Sequence, residues 1–240
     1  MGTLTLVRHG QASFGAADYD QLSARGEQQA RLLGEHWARL GVGFDRAFHG
    51  PRVRQRRTAE IAALAMRKAG KALPELIELE GLDELRFDGL VMGALPQLAE
   101  KDPSVGALLT DFGTMAEGRP PPAGFQARME KLFHLWVKHP VPIEGVEPWD
   151  AFTARVAAAL ARMRRDPPRG LRVVAFTSAG TIAAALQQAL EAQAHVAVEL
   201  MWRVRNASVS ELLFSESRPL TLSSFNGTPH LEDGALITYR

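Results

Sequence analysis

The chain opens on an alternation of polar and apolar positions, Thr3 to Val7, in which Thr3, Thr5 and Val7 are β-branched. That pattern predicts a short strand running directly into Arg8-His9-Gly10. Ser23 is placed to cap a helix in which Ala30, Leu33, Trp37 and Leu40 recur at three- and four-residue spacing, and Gly41 and Gly43 end it. A second strand is expected over Phe44 to Phe48, leading to His49-Gly50-Pro51, and then an Ala- and Arg-rich helix from about Val53 to Lys68. Leu76 to Leu79 reads as a third strand, leading to Gly81-Leu82-Asp83-Glu84.

Between about Phe87 and Trp149 the regularity weakens to short apolar helical pieces, the loop Arg119-Pro120-Pro121-Pro122-Ala123-Gly124, and Pro140 and Pro142. We read 87–149 as a helical cap inserted into a single domain spanning 1–240. Regularity returns with a helix at Ala151 to Met163, broken by Asp166-Pro167-Pro168. A buried strand follows at Val173 to Phe176, and Thr177-Ser178-Ala179-Gly180 turns into a helix at Thr181 to Leu190. Two late strands, Val209 to Phe214 and Leu220 to Phe225, complete the pattern. Alternating strands and helices imply an α/β fold with a mostly parallel central sheet and helices on both faces. Open sheets of that kind bind ligands beyond the carboxyl ends of their strands. Arg8-His9-Gly10, His49-Gly50-Pro51, Asp83-Glu84 and Ser178-Ala179-Gly180 all follow expected strands and converge on that rim.

Composition narrows the chemistry. A formal net charge of +1, from 28 basic and 27 acidic residues, gives no general reason to expect nucleic acid or an acidic membrane as partner. Anion chemistry must come from local placement of Arg and His. The absence of cysteine excludes disulfides, thiolate metal sites and Cys nucleophiles. No histidine pair has the spacing of a His-Glu-x-x-His metal site, so neither metal nor cofactor is expected. The opening residues lack a basic segment followed by a long apolar run, and no apolar stretch approaches ~18 residues, so a cytoplasmic protein is expected. A homo-oligomer stays open.

A phosphate monoester carries negative charge that repels nucleophiles, so its site needs fixed positive charge around the phosphoryl oxygens. Arg8 and Arg54 suit that need, because a guanidinium stays charged and grips phosphate through paired hydrogen bonds. His9 can attack phosphorus through a neutral imidazole nitrogen if its other nitrogen donates to a carbonyl. Glu84 or Asp83 can protonate the leaving oxygen and then help water attack. Gly10 lets backbone approach the ligand. Each residue also has a plainer reading: His9 as a structural histidine, Arg52, Arg54, Arg56 and Arg57 as the solvated face of a basic helix, and Glu84 as a surface carboxylate.

Several segments together carry a resemblance. Leu6-Val7-Arg8-His9-Gly10 resembles the RHG signature of the histidine phosphatase superfamily, in its phosphoglycerate mutase-like branch. Leu22-Ser23-Ala24-Arg25-Gly26-Glu27-Gln28-Gln29-Ala30 is similar to that family's "LTxxGxxQA", and Gly50 to Ala59 to its "SPLxRxxQTA". Leu82-Asp83-Glu84 resembles its "LxE", Asn206-Ala207-Ser208-Val209 its "NxSv", and Asn226 to Leu231 its "NxxxHL".

The resemblance implies His9 as nucleophile, Arg8 and Arg54 as phosphate ligands and Glu84, rather than Asp83, as the acid. It implies a structural role for His230. The chain also departs from the family. Ser178 stands where the family's "sHGGxI" carries a second histidine, Gln11 and Gly15 stand at the glutamate and asparagine positions of "RHGExxxN", and Gly50 replaces the "SP" serine. The expected activity is a phosphomonoester phosphatase acting on a small phosphorylated substrate through a phosphohistidine. A catalytically degenerate phospholigand binder and a mutase-type phosphotransferase are the alternatives. Ser178 is expected to keep a weak oxyanion contact. Gln11, Ser13 and Ala179 are expected to add substrate contacts, and His49 to stand in partly for the missing histidine. His195 is expected near the end of a helix.

Overall fold

The computed structural model describes every residue except 14–19, 87, 117–118, 120, 141–142, 216–217 and 240. The expectations for Gly15, Pro120 and Pro142, and the Phe87 boundary, lie outside the described residues. In chain order the first elements are β1 (Gly2–Arg8), α1 (Ala24–Leu40), β2 (Arg46–His49), α2 (Val53–Lys68) and β3 (Leu76–Glu78). The helices α3 (Asp88–Lys101), α4 (Pro103–Ala116), α5 (Phe125–Lys138) and α6 (Trp149–Met163) follow. Then come β4 (Arg172–Thr177), α7 (Ala179–Leu190), α8 (Ala194–Arg203), β5 (Val209–Ser215) and β6 (Arg218–Gly227).

The six strands form one sheet in the order β3-β2-β4-β1-β5-β6. β3, β2, β4 and β1 run parallel, while β5 is antiparallel to both β1 and β6. The mostly parallel α/β architecture is therefore as expected. Alternate residues of the central strands feed two cores. Val7, Ala47, Val174 and Phe176 pack with Leu33 and Trp37 of α1 and Ala59, Ala62 and Met66 of α2. Leu4, Leu6, Phe48, Val173 and Ala175 face the other way, onto Phe152 and Leu160 of α6 and Ile182 and Leu186 of α7. Each fully buried Leu or Phe is worth about 1.5–3 kcal/mol, so this double layer holds the strand ends rigidly.

Local signals set most boundaries. Ser23 caps α1 by accepting from the Gly26 N–H, and Gly41 closes it in the left-handed region at φ 66°. β2 begins two residues later than Phe44, which places His49 within the strand rather than after it. The expected weak regularity after residue 87 is corrected to three helices of 14 residues each. Pro96 sits inside α3, where its missing N–H removes one backbone bond. Burial of Ala94, Leu95, Leu98, Val105 and Leu108 in the same cluster as Phe152 outweighs that loss. His195 lies at the start of α8, not the end of a helix. Glu191 closes α7 in the left-handed region at φ 50°, and Ala197, Val198 and Met201 give the next residues a buried helical face. Among the described residues, no helix is long and apolar enough to cross a membrane.

Candidate active site

β1 delivers His9 to the carboxyl rim beside β4, where the His9 N–H donates to the Thr177 carbonyl at 2.8 Å. The His9 carbonyl accepts from the Ala207 N–H at 3.1 Å and from Asn206 Nδ2 at 3.3 Å, so both sides of its peptide are tied down. Its ring is 5% exposed. Nδ1 lies 2.7 Å from the Gly10 carbonyl, which can only accept, so Nδ1 carries the hydrogen. Nε2 is then a bare lone pair, and Arg54 Nε–H donates to it at 3.1 Å. Burial, then the charges of Arg54 and Arg8, hold the imidazole pKa well below its ordinary value, against the smaller pull of the Gly10 carbonyl. His9 is a neutral imidazole of defined tautomer.

Gly10 serves packing. A Cβ there would lie 2.4 Å from the Gly26 carbonyl oxygen, and one on Gly26 would lie 2.1 Å from the Gln11 carbonyl oxygen. The two glycines let the turn after His9 close onto the first turn of α1. Thr58 Oγ1 completes the clamp, accepting from the Gly10 N–H at 3.0 Å and donating to the Arg54 carbonyl at 2.7 Å.

Four arginines lead into or lie in the first turns of α2, and burial separates them. Arg56 and Arg57 pair with Glu60 and Glu27 on the exposed face. Arg52 binds Asp83 at 2.6 Å. Arg54 alone turns inward, 6% exposed, with Nη1 donating to Asp20 Oδ1 at 2.6 Å. Arg8 is half-buried, and its Nη1 donates to the Val204 carbonyl and, at 2.9 Å, to the Tyr239 carbonyl.

Geometry also separates the two acids. Asp83 is occupied by Arg52 and accepts from the Glu84 N–H at 2.8 Å. Glu84 is 7% exposed, accepting from the Leu85 N–H at 2.9 Å and the Gly180 N–H at 3.2 Å. Burial raises its pKa above the usual carboxylate range, although Arg54, the two N–H donors and Arg8 all pull downward. Gly180 is required here, since a Cβ would meet Glu84 Oε1 at 2.1 Å. Both arginines thus act electrostatically on both His9 and Glu84.

The remaining expected residues lie around this group. Ser178 is fully buried at the N-cap of α7, and its hydroxyl accepts from Gln55 Nε2 at 2.7 Å. Ala179 is the first residue of that helix. Gln11 accepts from Ser23 Oγ at 3.0 Å through its side chain, while its N–H donates to Gln29 Oε1 at 2.8 Å. Ser13 makes a backbone bond to Gln21 at 2.9 Å. His49 repeats the His9 arrangement: 5% exposed, with Nδ1 donating to the carbonyl of the following glycine, Gly50, at 2.7 Å. Its strand is separated from β1 by β4, a gap of about 10 Å at two strand spacings.

The sequence reading missed Asp20, Gln29, Gln55 and Thr58. The motif segments "LTxxGxxQA" and "SPLxRxxQTA" contain the last three, but only the fold brings Gln29 to Gln11, Gln55 to Ser178 and Thr58 to Gly10. Among the described residues, no group of three His, Cys, Asp or Glu side chains comes together as a metal site.

The fold is thus an α/β sheet whose parallel-strand rim gathers a neutral histidine, two arginines acting on it and a buried carboxyl. The chain belongs to the histidine phosphatase superfamily, branch 1, whose family model matches residues 4–140 and 110–227. No curated protein matches it. Among solved structures it resembles the phosphoserine phosphatase of Entamoeba histolytica in complex with 3-phosphoglyceric acid. That match has 20% identity over 96% of this chain and 100% of the other, with a TM-score of 0.60. Phosphoglycerate mutase from Bacillus anthracis matches with 19% identity over 96% and 95% of the two chains, TM-score 0.63. Bacillus stearothermophilus YhfR matches with 17% identity over 97% and 100%, TM-score 0.65. At these identities the likeness is one of fold.

Proposed function

We propose that the chain is a phosphomonoester phosphatase that works through a phosphohistidine on His9. The observation that carries this reading is the Nε2 lone pair of His9, fixed by the Gly10 carbonyl on one side and met by Arg54 on the other. Arg54 Nε moves from Nε2 to a phosphoryl oxygen when substrate enters, and Arg8 supplies the second guanidinium. Nε2 attacks phosphorus as the P–O bond to the leaving group breaks, and Glu84 gives its proton to the departing oxygen. The imidazole keeps Nδ1–H on the Gly10 carbonyl, which stabilises the positive charge of the phosphoimidazolium. Glu84, now a carboxylate, takes a proton from water as the water oxygen attacks phosphorus and the P–N bond breaks. Phosphate leaves, and both residues return to their starting forms.

Ser178 has a neutral hydroxyl where the family carries an imidazole, and Gln55 occupies one of its lone pairs. Its O–H remains its contribution to an equatorial oxygen. Loss of one transition-state donor typically costs about 10²–10³ in rate, so turnover is expected below the family norm. His49 can stand in only through Nε2, because Nδ1 already faces the Gly50 carbonyl. Gln11, Ser13 and Ala179 line the approach. The neighbours named as phosphoserine phosphatase and phosphoglycerate mutase favour a small, anionic phosphorylated metabolite as substrate.

The test is phosphate release across a panel of small phosphomonoesters by wild type, His9→Ala and His49→Ala. Turnover abolished in His9→Ala, with acid-quenched phosphoenzyme trapped only in wild type, is the expected result. Inorganic phosphate bound by wild type with no ester hydrolysed would instead identify a degenerate phospholigand binder. Unchanged turnover in His49→Ala would remove His49 from the site.

A further inference from the structure

Asp20 makes a bridge that the proposed chemistry does not use. Its Oδ1 accepts from Arg54 Nη1 at 2.6 Å, and its Oδ2 accepts from the Val53 N–H at 2.9 Å. Val53 is the first residue of α2, where backbone N–H groups lack helical partners and a carboxylate is favoured. One carboxylate therefore ties the Arg54 side chain to the backbone just before it. With Nη1 held at one end, the planar guanidinium presents Nε toward His9 at 3.1 Å. The Asp20 side chain is 28% exposed and that of Arg54 8%, so the bridge sits at the mouth of a buried cation.

We propose that Asp20 is a positioning residue for Arg54 and tunes its hold on phosphate. The inference rests on the phosphatase reading, in which Arg54 carries the phosphoryl group. Two consequences follow from the one bridge. The carboxylate fixes the plane of the guanidinium, and a misplacement near 1 Å in such a clamp can cost about 10²-fold in rate. It also places negative charge one guanidinium away from the bound anion, which weakens binding of inorganic phosphate and speeds its release. Orientation and affinity are thus set against each other by a single side chain.

Asp20→Asn removes the charge and leaves one acceptor where two are needed. The expected result is a kcat lowered about tenfold or more, with inorganic phosphate bound several-fold tighter by calorimetry. A merely structural role would lower both activity and phosphate affinity with the melting temperature. Val53→Pro is the second variant. Proline is well accepted at the first helical position, and Arg52 has the extended backbone, ψ 141°, that precedes proline readily. It removes the Val53 N–H that Asp20 Oδ2 accepts from, along with the partly exposed isopropyl group, and keeps the Asp20 charge, so kcat should fall several-fold while phosphate affinity and melting temperature hold. Unchanged kcat in both variants, or weaker phosphate binding in Asp20→Asn, overturns the proposal. Wild type that binds phosphate but hydrolyses nothing overturns the phosphatase reading alone, and the calorimetric comparison still decides Asp20. Wild type that does not bind phosphate overturns both.

Discussion

Gln55 Nε2 donates to Ser178 Oγ at 2.7 Å, and both side chains are fully buried. Gln55 has further partners: the same Nε2 donates to the Leu82 carbonyl at 3.3 Å, and Oε1 accepts from the Arg52 N–H at 3.1 Å. The space beside residue 178 is filled by an amide with partners on three sides. Placing a histidine here by Ser178→His alone should therefore fail. The larger ring overpacks a closed site at about 1–3 kcal/mol, and Gln55 loses a buried partner at about 1–3 kcal/mol more. We expect a lower melting temperature and no gain in turnover, with stability recovered in Ser178→His/Gln55→Ala. A single variant as stable as wild type and more active would show that Gln55 does not hold this space.

Glu84 and Gly180 touch so closely that a methyl group on the glycine cannot coexist with the carboxyl in place. Gly180→Ala should lower kcat/KM about 10–10²-fold by displacing the acid. The pH profile gives the mechanism. The proposed mechanism requires neutral His9, whose pKa is lowered, and protonated Glu84, whose pKa is raised. Turnover should fall on the acid side as His9 protonates, below the ordinary imidazole range, and on the alkaline side as Glu84 ionises, above the ordinary carboxylate range. In Gly180→Ala the alkaline limb should move while the acid limb stays. If both limbs stay and only the amplitude drops, Glu84 is not the group that sets the alkaline limb.

The parts legible in the sequence were those where a residue's type and its place after a strand point the same way. His9 and Glu84 follow β1 and β3, as their place in the strand pattern predicts, and both are buried at the sheet rim. Strand patterns locate the sheet because β4 is apolar on both faces and polar and apolar positions alternate along β1. Three kinds of feature were not legible. Asp20 reaches Arg54 across 34 positions of chain, and nothing local marks that pairing. Gln55 looks like one more polar residue on a basic helix until the fold puts Ser178 against it. The helices α3 and α4 combine Gly, Pro and apolar residues without a clean polar face, since their partners are each other and α5. The sequence reads such segments as short helical pieces and understates their length, because burial supplies the stability that the local sequence lacks.

His230 gives a stability test independent of catalysis. It is 5% exposed, both ring nitrogens are buried without partners, and its ring centroid lies 6.2 Å from that of His36. Burial, then the neighbouring His36, lower its pKa from 6.5 to about 4. In the unfolded chain it takes a proton near pH 6.5, and in the folded protein only near pH 4. Its contribution is therefore complete above pH 6.5 and is lost as pH falls toward 4, by up to about 3 kcal/mol. His9 acts with the same sign, and Glu84 with the opposite one, stabilising the fold at low pH and less as pH rises through its raised pKa. His230→Phe should keep the neutral-pH melting temperature, since no ring hydrogen bond is lost, and reduce the fall between pH 6.5 and 4. An unchanged acid slope would count against His230 as its source.

Thr238 lies far from His9 in sequence yet joins two residues that position it. Its hydroxyl donates to Asn206 Oδ1 at 2.9 Å and accepts from Gln29 Nε2 at 3.0 Å. Asn206 in turn donates through Nδ2 to the His9 carbonyl, and Gln29 Oε1 holds the Gln11 N–H. The next residue, Tyr239, gives its carbonyl to Arg8. Thr238→Val keeps the shape and removes the hydroxyl, leaving one buried acceptor and one buried donor short of a partner. A loss of about 1–3 kcal/mol for each is the upper range, and Gln29 retains its bond to the Leu236 carbonyl at 2.7 Å. The larger effect should be kinetic, because the His9 carbonyl and the turn at Gln11 are released together. We expect kcat to fall more than the melting temperature explains, with KM little changed, since the support Thr238 gives runs through Asn206 and Gln29 to the His9 carbonyl and the Gln11 N–H. Measuring kcat, KM and melting temperature in the same variant separates the cases. A kcat that tracks only the fraction folded would reduce the tail to a structural strap, whereas a kcat loss in fully folded protein would make Thr238 part of the support for His9.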